Sequence, residues 1–190
     1  MKLEDRYVDL IDDQMDLAIR ITDRPPPGLI GRHLLDIKHL LCATPRYLEE
    51  HGIPRHPHDL KLHSCIYLGE QPGDSRWKFR KAGKVVHVQV HGRYAANHTG
   101  VRLDAVLHHV GVGSLPFFTA SHALQQGSIV QVLPDWTFEP NYSGQVWILY
   151  PPTRHLLPKL RVMIDFLAER LRAAPAPKSP IRYEDPEIKA

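Results

Sequence analysis

Side chains able to do chemistry are plentiful in this 190-residue sequence but poorly grouped. Thirteen histidines raise the question of a metal. His56 and His58 are split by Pro57, His87 and His91 flank Gln89 on one strand face, and His108 and His109 are adjacent and point apart. None of them joins a cysteine or a further histidine at a recognised zinc spacing. They read as solvated or packing side chains, and no metal is expected. Cys42 and Cys65 lie inside apolar stretches and read as buried thiols in a reducing compartment. Ser114 stands in GVGSLP, which is not a G-x-S-x-G elbow, and nothing in the spacing joins Asp135 and His155 to it. Asp12-Asp13 and Glu49-Glu50 are neighbours on helices, not pairs set for acid–base work. Gly111 and Gly113 follow a helix and open a strand, the reverse of a dinucleotide loop, and no third glycine comes three residues on. The sequence nominates no catalytic residue and no cofactor, and the expectation is a protein that is not an enzyme.

Arg20 is the exception worth following. It is read as ending an apolar strand, next to Ile21 and Thr22 and just before the proline-stiffened run TDRPPPG. A cation at the carboxyl end of a strand in an α/β sheet is well placed for an anionic ligand. An ion-paired or surface arginine is the plainer alternative.

Around these residues the chain reads as alternating elements. A short helix is expected over 3–14, a strand over Met15–Ile21, and a loop forced by Pro25, Pro26 and Pro27. Ile37–Cys42 reads as a buried strand. Thr44-Pro45 is a helix start signal, and that helix should stop at Gly52. A further helical turn is expected over Pro57–Leu60 and a strand over Ser64–Leu68. Trp77–Phe79 and Val85–His91 form a hairpin around Lys81-Ala82-Gly83, with Val86, Val88 and Val90 packing while His87, Gln89 and His91 meet water. A helix over Thr99–His109 offers Val101, Ala105, Leu107 and Val110 for packing and ends at Gly111 as its C′ residue. Strands at Val112–Leu115, Ser128–Leu133 and Gln145–Tyr150 and a helix over 117–126 follow. Pro158 opens the last helix, with Leu160, Met163, Ile164, Leu167 and Leu171 at helical spacing. Residues 174–190 read as a mobile tail. The alternation argues for an α/β architecture with substantial parallel pairing.

Composition narrows the class. A net charge of +3 with no Lys/Arg run argues that this segment does not itself touch nucleic acid. No apolar run approaches the roughly 20 residues of a membrane span, and MKLEDRYVDL lacks an apolar leader core. A cytoplasmic location without membrane contact is therefore expected.

Several phrases are similar to one family. They are MDLAIRI, LLCATPRYLEEHGIPRHPHDLKLHSCI, WKF, VHGRYAAN, AVLHHVGVGSLP, GSIVQVLPDW and WILYPPTRHLLPKLRVMIDFL. In this order, over roughly residues 5–171, they resemble the C-terminal effector-binding (substrate-binding) domain of LysR-type transcriptional regulators. The stretch from Cys42 to Cys65 is the most specific part.

The resemblance implies an α/β fold like type 2 periplasmic binding proteins, with two α/β subdomains and an effector cleft between them. Subdomain I would hold 1–37 and 146–172 and be incomplete, and subdomain II would hold 38–145. The crossings would lie near Leu34–Ile37 and Gly144–Trp147. It further implies effector contacts at Arg20, Ile21 and Thr22, at Tyr67, Leu68 and Gly69, at Asn97, His98 and Thr99, and at Pro116 and Phe117. The implied partners are a small, anionic effector, a second copy of the full-length regulator, and DNA through a helix-turn-helix domain that this chain lacks. Such a domain, and the opening strand, helix and strand of subdomain I, would precede Met1 in a full regulator. The expectation is a shortened chain with unpaired sheet edges. A solute-binding protein of the same fold is the alternative, disfavoured by the missing leader and lipobox cysteine, and a small enzyme comes after it.

Overall fold

The computed structural model describes residues 10, 15–22, 24–141, 144–153 and 156–172. The expected opening helix (Leu10 apart), the tail and His155 fall outside them. The chain divides into two compact units, with boundaries after Ile37 and before Ser143. Each has its own apolar core, so the fold is not one undivided core.

The first unit carries a three-stranded antiparallel sheet, with β1 (Ala18–Thr22) and β2 (Ile30–Ile37) on either side of β11 (Gly144–Tyr150). β1 starts three residues later than the sequence suggests and runs through Thr22, so Arg20 stands at its middle, opposite Trp147, and does not end it. β2 was not foreseen as a whole strand. The prolines confine the loop to 24–29, and extended structure resumes at Ile30. Helix α4 (Pro158–Arg172) lays Ile164 and Ala168 against Leu34 and Ile148, with Leu167 and Leu171 beside them. Met163 was expected on that packed stripe, but it is 49 % exposed, because the buried face follows 160, 164, 168 and 171.

The second unit is built on a five-stranded sheet in the order β7-β4-β8-β3-β9. These are β3 (His39–Ala43), β4 (Ser64–Tyr67), β7 (His91–Ala95), β8 (Val112–Pro116) and β9 (Val130–Val132). Parallel pairing is confined to β4 with β7 and β8, and every other described pair is antiparallel. The expectation of substantial parallel pairing is corrected: β3 runs against the other four strands, so its pairs with β8 and β9 are both antiparallel.

A second sheet joins β5 (Arg76–Lys81), β6 (Lys84–Gln89) and β10 (Thr137–Glu139). The β5–β6 hairpin closes through Ala82 and Gly83, both at positive φ, the geometry a two-residue turn needs to match strand twist. Val88 and Val90 are fully buried as their alternation predicts. Trp77, Phe79 and Phe138 form the aromatic part of this core.

Helix α1 (Pro45–His51) begins where Thr44-Pro45 signals it: Thr44 Oγ1 accepts the Tyr47 N–H, and Gly52 closes the helix at φ 85°. A 3-10 turn covers Pro57–Leu62. α2 (Thr99–Leu107) and α3 (Phe117–Gln125) pack with Cys42, Ile66 and Leu115. Two expectations for α2 are corrected. Its left-handed exit residue is His109, at φ 60°, whereas Gly111 serves close approach: a Cβ there would lie 2.0 Å from the Ser64 carbonyl oxygen. Val101 is exposed, and its neighbour Arg102, 2 % exposed, takes the inward face with Ala105 and Val106.

Candidate functional site

The register of the five-stranded sheet gathers one group of residues. β4 ends at Tyr67, β7 at Ala95 and β8 at Pro116, all pointing the same way, with Tyr67 beside Ala95. β3 runs oppositely and starts at His39, paired with Pro116. Tyr67, Leu68, Gly69, Asn97, His98, Thr99, Pro116 and Phe117 therefore stand along the carboxyl edge of this sheet, the usual address for ligands in open α/β folds. Gly69, at φ 75°, brings the chain so near Ala95 that a Cβ would lie 2.6 Å from the alanine methyl. His98 caps α2 by accepting the Val101 N–H at Nδ1, and the Phe117 N–H is given to the Lys38 carbonyl.

At this edge the second unit has a small hollow, open to solvent. Leu68, Trp77, Phe138 and Pro140 form its apolar walls, and His39, Asp74, Arg102, Ser114 and Asn141 supply its polar groups. Arg102 Nη1 donates to the Ser114 carbonyl at 2.8 Å and to Ser114 Oγ at 3.2 Å. These bonds fix a buried guanidinium at the floor, where a cation has far more electrostatic reach than at the surface. Asp74 Oδ2 accepts the N–H groups of Glu70 and Gln71, holding the 69–75 loop against the hollow.

His39 is only 8 % exposed, and neither ring nitrogen has a hydrogen-bond partner. Burial, with Arg102 adding repulsion, lowers its pKa to about 4, so the imidazole is neutral at ordinary pH. A neutral imidazole offers one donor and one acceptor.

The arrangement suits an anion with an apolar body. It does not suit nucleophilic catalysis. The Ser114 hydroxyl is engaged by a guanidinium, which cannot accept its proton, where an activated serine needs a base. No group of three or more metal-ligating side chains occurs among the described residues.

Of the expected contacts, Leu68 lines the hollow, and the other second-unit residues share its sheet edge. Arg20, Ile21 and Thr22 belong to the first unit. Both terminal nitrogens of Arg20 are shielded from solvent, Ile21 is exposed, and Thr22 Oγ1 donates to the Arg24 carbonyl. Sequence reasoning missed His39, Asp74 and Arg102 and set Ser114 aside as a failed nucleophile. One signal was present for Arg102: with Ala105 and Val106 it makes an i, i+3, i+4 face.

Comparison with known proteins completes the picture. Residues 2–172 match the LysR substrate binding domain. The chain belongs to this family. A relative, the "Probable HTH-type transcriptional regulator LtrA" of Klebsiella pneumoniae, is 57 % identical over 91 % of this chain and 56 % of its own length. The Vibrio cholerae virulence activator AphB, a solved LysR-type protein, has a TM-score of 0.74 at 28 % identity, covering 89 % of this chain and 56 % of its own. CrgA from Neisseria meningitidis, also a LysR-type transcriptional regulator, gives a TM-score of 0.75 at 25 % identity, covering 88 % and 56 %. The chain thus spans about half the length of the full regulators it matches. These findings support the mixed α/β, regulatory-domain fold expected from the resemblance.

Proposed function

We propose that this chain is the effector-sensing part of a LysR-type transcriptional regulator, and that it binds a small carboxylate at the carboxyl edge of its five-stranded sheet. The observation that carries this reading is the Arg102–Ser114 pair fixed at the floor of an apolar-walled hollow beside His39. A carboxylate would meet the guanidinium and the Ser114 hydroxyl, and its apolar body would lie against Leu68 and Phe138. Residues 67–69, 97–99, 116–117 and 20–22 are proposed as further contacts. A ligand that binds one conformation of the regulator better than another shifts the population toward it. In the full-length protein that shift would reach DNA through a helix-turn-helix domain, within a homo-oligomer acting in the cytoplasm. None of this calls for an enzymatic step.

The test is a thermal-shift screen of the intact protein with aromatic and aliphatic carboxylates and their matched amides. Carboxylates should raise the melting temperature and amides should not, and Ser114→Ala should weaken the response. Arg20→Ala reads separately whether the first-unit arginine contributes. Equal stabilisation by amides, or no response to any carboxylate, overturns the anion-site reading.

A further inference from the structure

The hollow contains a group that the anion-binding reading does not yet use. His39 is enclosed by protein, has two buried ring nitrogens without a hydrogen-bond partner, and lines the hollow together with a fixed guanidinium. A neutral imidazole can donate only one hydrogen bond, whereas an imidazolium donates two and carries charge. We infer that an anion entering this hollow takes up a proton with it, held on His39, so that ligand binding in this regulator is coupled to pH. The inference rests on the hollow being the anion site.

The charged and titratable groups lining the hollow with His39 are Arg102 from α2 and Asp74 from the 69–75 loop, while the adjacent Lys38 is exposed. In the empty site, burial and Arg102 together hold His39 neutral down to about pH 4, outweighing any help from the Asp74 carboxylate. An anion between Arg102 and His39 reverses the balance. It compensates the guanidinium charge that opposed protonation and offers the imidazolium a partner. The His39 pKa in the occupied site therefore rises from about 4 toward or beyond its ordinary 6.5. Between those two values the occupied site binds one more proton than the empty one. By linkage, affinity then increases as pH falls, by up to about tenfold per pH unit. Above the occupied-site pKa the slope vanishes, because His39 is neutral in both states.

The experiment uses the intact chain with methanesulfonate, which stays ionised throughout, and acetate as probes. Binding is followed by calorimetry between about pH 5 and pH 8, in Bis-tris and in imidazole buffers. The difference in heat between the buffers counts protons exchanged. The expected result is uptake of more than half a proton per anion near pH 6, with affinity falling severalfold from about pH 5.5 to pH 6.5. In His39→Gln the amide keeps a donor and an acceptor but takes no proton, so the gain in affinity at low pH, the proton uptake and the pH slope should all disappear. Should that variant fail to fold, the two-buffer measurement on the unaltered protein still decides. Anion binding without proton uptake overturns the coupling and leaves the anion site standing. Proton uptake that survives in His39→Gln also overturns it, because another group then carries the proton. No binding of either probe at any pH overturns the anion-site reading and this inference together.

Discussion

The two units of this chain are stabilised to different depths. In the second, two sheets and three helices enclose large side chains from several directions: Trp77, Phe79 and Tyr47 in one cluster, Ile66, Leu115 and Ile129 in another. In the first, the described residues form one three-stranded sheet and one helix around Leu34, Ile148, Ile164 and Ala168. Its surface keeps Ile19 and Ile21 on β1 and Val162, Met163 and Phe166 on α4 in contact with solvent. The contrast shows where a precise polar constellation can be kept. Arg102, Ser114 and His39, each at most 8 % exposed, are held by the packing of the second unit.

The sharpest way to break this comparison is to excavate each core in turn. Phe79→Ala should cost about 3–5 kcal/mol and Leu34→Ala about 2–5 kcal/mol, from lost transfer energy plus the residual cavity. Amide hydrogen exchange should show Leu34→Ala loosening β1, β2, β11 and α4 while the five-stranded sheet keeps its protection. If both variants expose both units together, the chain is one cooperative block and the contrast in depth has no consequence.

Acid should sharpen the contrast. Burial lowers the pKa of His39 and of His63, both in the second unit. His39 has a lower pKa folded, about 4, than its ordinary 6.5, so the unfolded chain takes its proton first as pH falls. Stability from this group is therefore complete above about pH 6.5, is lost as pH drops toward 4, and levels off below. The loss is ~3 kcal/mol. Denaturant melts from about pH 7 to pH 4.5 should show the second unit weakening, with His39→Gln flattening the curve. An unchanged slope in that variant would exclude His39 as the source.

A smaller effect tests the local order of α1. Thr44 caps Tyr47 N–H and also meets His109 Nδ1 at 2.6 Å, so Thr44→Ala should cost about 1–2 kcal/mol by chemical denaturation. The smallest effect lies on the surface of the hairpin sheet. Glu139 bridges Lys78 and Arg80, and those hydrogen bonds lower its pKa to about 2. Because the pairs are solvent-exposed, Glu139→Gln should cost below about 1 kcal/mol, and less still in high salt.

Much of the architecture was legible because its causes are local. Thr44-Pro45 sets a helix start whatever lies around it, and Ala82-Gly83 can close a hairpin with only its own strands for support. What was not legible depended on distant chain. β10 is three residues long, too short for periodicity, and Phe138 is buried only because Phe79 pairs with it across the sheet. Exchanging the exposed Val101 for the buried Arg102 required knowing that the Ser114 carbonyl would be within reach.

By itself the sequence determined helices α1 to α4, most of the strands and the family, since turn chemistry, alternation and motif spacing act over a few residues. Only the tertiary structure decided that an arginine faces inward, that a histidine stays neutral beside it, and that strand ends far apart in the chain meet at one sheet edge. Burial and electrostatics depend on which groups are brought together. The pairing of β3 with β8 sets His39 beside Pro116 across 76 residues of intervening sequence.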